Sequence, residues 1–453
     1  MLGLKIVDLS ENWQLGRLPS SISKLEKLTT LLLCGCASLR EVPALSNLVG
    51  LKKLDLLGTS IEELPQGLNM LTNLKYLGLS GRLSETLDEP LQNLSKLQQL
   101  LILAVVADGH AETEFKWETI GIWGKLQNLE MLHLDYLHNL NMVFGEVGAI
   151  AESASLPAGT FSSLQYISVW HCDKIKKLCS VRWLEYLQKL QAVEVRNCEQ
   201  LEEIIGSESE GGEKVTLPKL ESLTLHKLPQ LKTIYSGSLI CDSIKKIKIS
   251  SSKNIESVFW SGFNAFPNLE YLELIKLKGL KSMFDEEGLG LSPHVPPTSF
   301  CSLKEIRVSG CDQLKKVFSS GWLLHYFQSL KTIEVSRCWQ MEELISSSAH
   351  EEEKVTLPKL ERLELTSLPL LKSICSSSSV LICDSIQSLR IFDCERLKRI
   401  PLNFPLLDNA QSSHPPSLKE IVVFPKEWWE SLEWDHPNAK DILFPFCKFR
   451  QSW

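Results

Sequence analysis

The spacing L-x-x-L-x-L, with Ile or Val in place of some leucines, returns sixteen times along these 453 residues and constrains the fold more than any other feature. Its first apolar residues are Leu4, Leu28, Leu51, Leu74, Leu97, Leu129, Leu164, Leu190, Leu220, Ile244, Leu269, Leu303, Leu330, Leu360, Ile386 and Leu418, at intervals of 23 to 35 residues. A unit this short cannot bury its own apolar face, so neighbouring units must stack and share one core. The chain is 43% hydrophobic, which supplies that core. Stacking also overrides the length-based expectation of several globular domains, because a solenoid grows without starting a new core.

One unit shows how the pattern works. In LQYISVWHCDKIKKL (164–178), Leu164, Ile167 and Val169 alternate inward while Tyr166, Ser168 and Trp170 point out. Cys172 then fills the turn, and Ile175 and Leu178 continue inward. The same frame fits the units that start at Leu190, Leu303 and Leu330. Six of the thirteen cysteines (Cys36, Cys172, Cys198, Cys311, Cys338 and Cys394) fall three residues after the third apolar position, a slot that suits a small buried thiol. Neighbours such as Cys172 and Cys198 would stand about 5 Å apart across adjacent strands, within disulfide reach, and a reducing compartment keeps them as thiols. The expected fold is an α/β solenoid: a leucine-rich-repeat horseshoe with a curved parallel sheet on its concave face and short helical or irregular convex segments.

Four regions are expected. Residues 1–105 hold regular short repeats, 106–128 form an irregular insertion, 129–425 hold longer repeats, and 426–453 form a Trp-rich C-terminal cap. Within the longer repeats FSSLQYI (161–167) returns as FCSLKEI (300–306), EKVTLPKLE (213–221) as EKVTLPKLE (353–361) and CDSI (241–244) as CDSI (383–386). A block of about 140 residues is therefore duplicated. Polar, Gly-, Pro- and acid-rich stretches near Gly206, Asp285, Ser346 and Asp408 cannot build core, so they are expected to project as excursions.

No chemistry-bearing motif accompanies the repeats. GxxxxGK[ST], GxSxG, HExxH, GxGxxG and paired CxxC are all missing, and the ten histidines scatter. His171 lies beside Cys172, but the turn slot points that thiol inward. The expectation is no enzyme, no metal and no cofactor. A net charge of −7 argues against nucleic acid. No apolar run approaches the length of a membrane span, no signal-peptide layout opens the chain, and Asn93 starts the only glycosylation sequon. These features point to a cytoplasmic chain.

Function is then expected on the outward residues of the sheet. Trp170, Ile275, Phe392 and Phe424 are large apolar side chains where a solvated face would carry polar ones. Aromatic residues and Arg dominate energetic anchors at interfaces. The candidate partner-binding residues on the concave face are Tyr166, Trp170, His171, Arg196, His226, Lys248, Arg307, Arg390 and Phe392, with Trp170, Arg196 and His226 read as one patch. For Trp170 and Phe392 the alternative is cover by other parts of the same molecule.

Several local patterns carry a resemblance. The units use C-x-x-L after the strand (Cys198 to Leu201, Cys394 to Leu397), the early ones have LP turns at Leu18-Pro19 and Leu64-Pro65, and the tail contains CERLKRIP (394–401). The last stretch, KEWWESLEWDHPNAKDILFPFCKF (426–449), contains WW-x-x-L-x-W. Together these resemble the repeat region of plant intracellular nucleotide-binding leucine-rich-repeat disease-resistance proteins of the coiled-coil type, across essentially the whole chain. The resemblance implies a region that senses pathogen effectors or guarded host proteins and restrains a nucleotide-binding switch domain, in cis or in trans. This sequence has no coiled coil, phosphate loop or switch motif of its own, so nucleotide binding is not carried over to it. The start without a polar capping repeat leads us to expect a fragment, a truncated gene product or a partner of a separate switch protein. The competing expectation is an intracellular scaffold or ubiquitin-ligase substrate adaptor unrelated to immunity. An extracellular receptor would call for a signal peptide, many sequons and a membrane span.

Overall fold

Each L-x-x-L-x-L segment occupies a strand. The structure, a computed structural model, describes residues 3–81, 88–104, 125–144, 159–206, 214–259, 266–284, 300–318, 321–346, 354–375, 380–400, 402–403, 417–434 and 438–450. Most of the expected insertion at 106–128 lies outside these residues, as do most residues of the four polar excursions. Two compact units divide the chain: residues 1–220 with 227–229 and 234–237, and residues 221–226, 230–233 and 238–453.

The first unit carries eight ladder strands among the described residues: Ile6–Asp8, Thr30–Leu32, Lys53–Asp55, Tyr76–Gly81, Gln99–Ala104, Met131–Asp135, Tyr166–Trp170 and Ala192–Arg196. Every neighbouring pair runs parallel, with each repeat position opposite its counterpart, as in Leu101↔His133 and Val169↔Val195. The second unit continues the scheme from Ser222–His226 through Lys246–Ser250, Tyr271–Ile275, Glu305–Ser309, Thr332–Ser336, Arg362–Thr366 and Ser388–Phe392 to Glu420–Phe424. A further rung, Cys447–Phe449, pairs with Glu420–Phe424 within the Trp-rich tail, and no L-x-x-L-x-L spacing announces it. The fold is a parallel-sheet leucine-rich-repeat solenoid with little helix.

The core sits behind the ladder. Leu164, Ile167, Val169 and Cys172 are fully buried, and so are their counterparts Leu303, Ile306, Val308 and Cys311. The return paths are irregular with brief helical turns, as expected, and add short parallel pairs such as Lys177–Ser180 with Glu203–Gly206 and Glu343–Ile345 with Ser373–Cys375. The described helices are brief, for example the 3-10 turns Ser20–Lys24 and Val181–Glu185. No described return segment is long enough for a stable helix by itself.

Charge patterning locks one return path to the next. Lys177 approaches Glu203 at 4.0 Å, Lys372 meets Glu342 at 2.7 Å and Lys281 meets Glu256 at 2.8 Å. All thirteen cysteines are unpaired. Those in the turn slot satisfy carbonyls: Cys36 Sγ donates to Leu9 O at 3.1 Å and Cys198 to Val169 O at 3.8 Å. Burial pushes the Cys198 and Cys394 thiols up to about 12, so they stay protonated.

A left-handed residue precedes that slot in turn after turn. Glu11, Tyr136, His171, Asn197, Ser251, Lys276, Arg337, Ser367 and Asp393 have φ between 48° and 62°, and Gly35, Gly58 and Gly310 hold the same place. The conformation costs a residue with a Cβ about 1–2 kcal/mol. It is held because the N–H extends the ladder: Ser251 N donates to Ile275 O at 2.8 Å and Lys276 N to Ser309 O at 2.7 Å. Replacing Ser251 with Val should therefore destabilise the second unit by about 1–2 kcal/mol, whereas Ser251→Gly should be near neutral. Chemical denaturation checks this; equal midpoints for Val and Gly would contradict it.

Candidate protein-docking face

The open face of the sheet carries the residues that do not build core. In the first unit Tyr166, Trp170 and Arg196 meet there through Glu194. The Tyr166 hydroxyl donates to Glu194 Oε2 at 2.5 Å, and the Arg196 Nε–H donates to Glu194 Oε1. The Arg196 guanidinium lies 5.1 Å from the Trp170 ring centroid, and Trp170 stands edge-on to His133 at 4.9 Å. Burial, then the Glu194 hydrogen bond, pushes the Tyr166 phenol up to about 12. Burial lowers the His133 imidazole below its ordinary range, so that ring is neutral at pH 7. Trp170 and Arg196 remain partly exposed. An aromatic plane, a cation over it and a fixed carboxylate are thus set in place before any partner arrives. Such preorganisation lowers the ordering cost of binding.

His171 begins the exit turn beside this cluster. Its Nδ1 is 2.9 Å from Asp135 Oδ1 and its Nε2 is 2.9 Å from Asn197 Nδ2, while Tyr136 stacks on the ring at 4.2 Å. His138 meets Asp173 at 2.8 Å in the same turns. These contacts tie successive exit turns together, so His171 supports the cluster from its edge.

In the second unit the remaining candidates are engaged laterally. His226 contacts Ser250 Oγ at 2.7 Å. Lys248 pairs with Glu273 at 2.8 Å and reaches over the Tyr271 ring at 5.2 Å. Arg307 pairs with Glu305 and with Glu334 at 3.2 Å, and Arg390 with Glu420 at 2.8 Å. Arg390 and Lys448 hold the Glu420 carboxyl down at about 2. The charges there neutralise one another along the ladder, so this face is polar but electrically closed. Trp170 and Arg196 come together in the first unit, and His226 lies in the second.

Phe392 is a correction. Its side chain is only 5% exposed, with the Arg450 guanidinium 5.9 Å from its ring centroid. Arg450 continues the last rung, its N–H donating to Val423 O at 3.2 Å, and its guanidinium lies over the ring that the alternation rule turned outward. The rule assigns a side of the strand; it cannot say what lies on that side.

The duplication sharpens the contrast. The positions equivalent to Tyr166, Trp170 and Arg196 hold Glu305, Ser309 and Ser336, although the buried positions remain Leu, Ile or Val. Applied to the first five turns, the same column rule places Leu32, Leu57, Leu101 and Leu103 outward, and each is partly exposed. Among the described residues no group of three or more His, Cys, Asp or Glu could hold a metal ion, and no helix is long and apolar enough to cross a membrane.

Comparison with known proteins agrees with the repeat architecture. A family profile described as plant disease resistance protein RPS2-like, leucine-rich repeats, matches residues 149–278 and 280–406. Disease resistance protein At4g27190 of Arabidopsis thaliana is 26% identical over 469 residues, covering 98% of this chain and 42% of that protein. Probable disease resistance protein At4g27220 of the same plant is 28% identical over 229 residues, covering 49% of this chain and 21% of that protein. The chain thus spans less than half the length of these relatives. Among solved structures, the Leptospira interrogans leucine-rich-repeat protein LIC12759 aligns with a TM-score of 0.39 at 17% identity, covering 98% of this chain and 95% of that one. The leucine-rich-repeat fold is a protein-interaction scaffold, and this chain belongs to the RPS2-like leucine-rich-repeat family of plant disease resistance proteins.

Proposed function

We propose that this chain is the protein-sensing repeat region of a plant immune receptor, working in the cytoplasm and lacking catalysis of its own. Its partners are a pathogen effector or a guarded host protein, and a nucleotide-binding switch domain that it restrains in cis or in trans. The observation that carries this reading is the Tyr166–Glu194–Arg196–Trp170 cluster, held rigid on an otherwise regular open face. Aromatic and Arg anchors of this kind cost about 2 kcal/mol or more each when truncated at an interface. Lys248, Arg307 and Arg390 serve as rim residues, because their lateral ion pairs must reorganise before they can serve a partner.

The test is the double variant Trp170→Ala, Arg196→Glu. A protein partner isolated from plant tissue with the unaltered chain should bind the variant about 100-fold more weakly or worse, with circular dichroism unchanged. Undiminished binding by a folded variant removes this cluster from the interface.

A further inference from the structure

A second docking surface lies on the open face of the first five turns. We propose that it takes a protein segment in which apolar and cationic side chains alternate. Leu32, Leu57, Leu101 and Leu103 project there, where a solvated sheet face would carry polar residues. Asp8, Leu32, Asp55, Gly78 and Leu101 form one column across consecutive strands. Gly78 keeps the column continuous. A Cβ there would stand 2.8 Å from Asp55 Oδ1 and 2.9 Å from Leu57 Cγ, so these two side chains lie across its strand.

Lys53 is the cation that acts on Asp8 at this surface, and it closes none of the carboxylates in an ion pair. Asp55 is only 9% exposed, and its carboxylate accepts hydrogen bonds from the Leu57 N–H at 3.2 Å and the Tyr76 hydroxyl at 3.2 Å, both neutral donors. The Glu11 carboxylate lies over Gly35, 2.8 Å from where a Cβ would stand. Burial, then the charges of Asp55 and Glu11, push the Cys34 thiol upward. Among the described residues none of Asp8, Glu11 and Asp55 forms an ion pair; Lys53 lies over the Tyr76 ring at 4.5 Å instead. The second unit's face is closed by lateral pairs such as Lys248–Glu273 and Arg390–Glu420. Here a nearly buried carboxylate with two acidic neighbours, framed by leucines, selects a cation flanked by apolar side chains. This surface adjoins the Trp170 cluster, since Leu101 pairs with His133 and Leu103 with Asp135 on the strand beside Trp170, but its carboxylates Asp8, Glu11 and Asp55 take no part in that cluster.

The experiment titrates the full chain with three labelled peptides of equal length, alternating Leu/Arg, Leu/Glu and Ser/Arg, and reads fluorescence anisotropy. The Leu/Arg peptide should bind at least about tenfold more tightly than either other peptide, since one supplies the wrong charge and the other no apolar contact. Asp55→Asn with Glu11→Gln should remove that preference, while Glu199→Gln with Glu395→Gln should leave it intact. Trp170→Ala should also leave it intact, so failure here is distinguishable from failure of the Trp170 site. Equal binding of Leu/Arg and Leu/Glu peptides overturns the proposal, as does an equal loss in the Glu199/Glu395 control, which would reveal attraction to the net charge alone. Circular dichroism confirms folding; if Asp55→Asn unfolds, Glu11→Gln with Asp8→Asn replaces it and must weaken Leu/Arg binding.

Discussion

Removal of residues 426–453 should lower the melting temperature and leave the strand Glu420–Phe424 as an open edge. That segment folds back on the last turns. Trp429 is fully buried and packs edge-on against Trp434 at 5.0 Å, and the Trp428 Nε1–H donates to Leu397 O at 2.8 Å. The strand Cys447–Phe449 supplies the final rung, and Leu432 and Leu443 are buried with the two tryptophans. Four large apolar side chains at about 1.5–3 kcal/mol each make a loss on the order of 5 kcal/mol or more. Removing the segment also uncovers Phe392 and a row of unpaired backbone groups, a template for pairing with another chain. The deletion should thus show both an earlier melt and concentration-dependent aggregation in sedimentation. An unchanged melting temperature would show that the tryptophans contribute nothing to the end of the solenoid and would favour their docking on another domain.

Trp183→Ala should destabilise the first unit by about 3–5 kcal/mol, the range for a large aromatic truncated in a core. Trp183 is fully buried in the 3-10 turn Val181–Glu185, with Phe144 at 5.3 Å, Phe161 at 5.9 Å and Tyr186 at 6.1 Å between ring centroids. Phe144 and Phe161 also touch at 4.9 Å. The cluster fills the space behind the strands that carry Trp170 and Arg196. The cavity would be lined by the rings of Phe144, Phe161 and Tyr186, and close-packed surroundings relax only in part. Trp183→Phe keeps most of the volume and should lose roughly half as much or less. The readout is chemical denaturation together with protease resistance of the first unit. A midpoint within error of the unaltered chain would mean that this aromatic cluster does not hold the return path in place.

Much of the candidate site was legible because alternation along a parallel strand is periodic. Tyr166, Trp170, Arg196, Lys248, Arg307 and Arg390 are assigned outward by the L-x-x-L-x-L phase, and each is at least partly exposed. Their partners were not legible. Glu194 links Tyr166 to Arg196 because the two strands pair in zero offset, and Asp135 meets His171 across 36 residues of chain. No local pattern announces either contact. Phe392 has the same phase as Trp170, yet is buried by Arg450 from the far end of the tail.

What the sequence determined by itself was the repeating unit: which residues face inward, where each strand lies and why a thiol fits the turn, all set by apolar side chains whose spacing only a stacked coil can bury. The tertiary structure alone decided the exits and the covered surfaces. Lys276, Arg337 and Asp393 adopt a left-handed backbone that none of them prefers, because their N–H groups can then bond to Ser309, Thr366 and Phe424 of the following turn. A hydrogen bond between neighbouring coils outweighs a local preference of about 1–2 kcal/mol, and no single coil contains both ends of that bond.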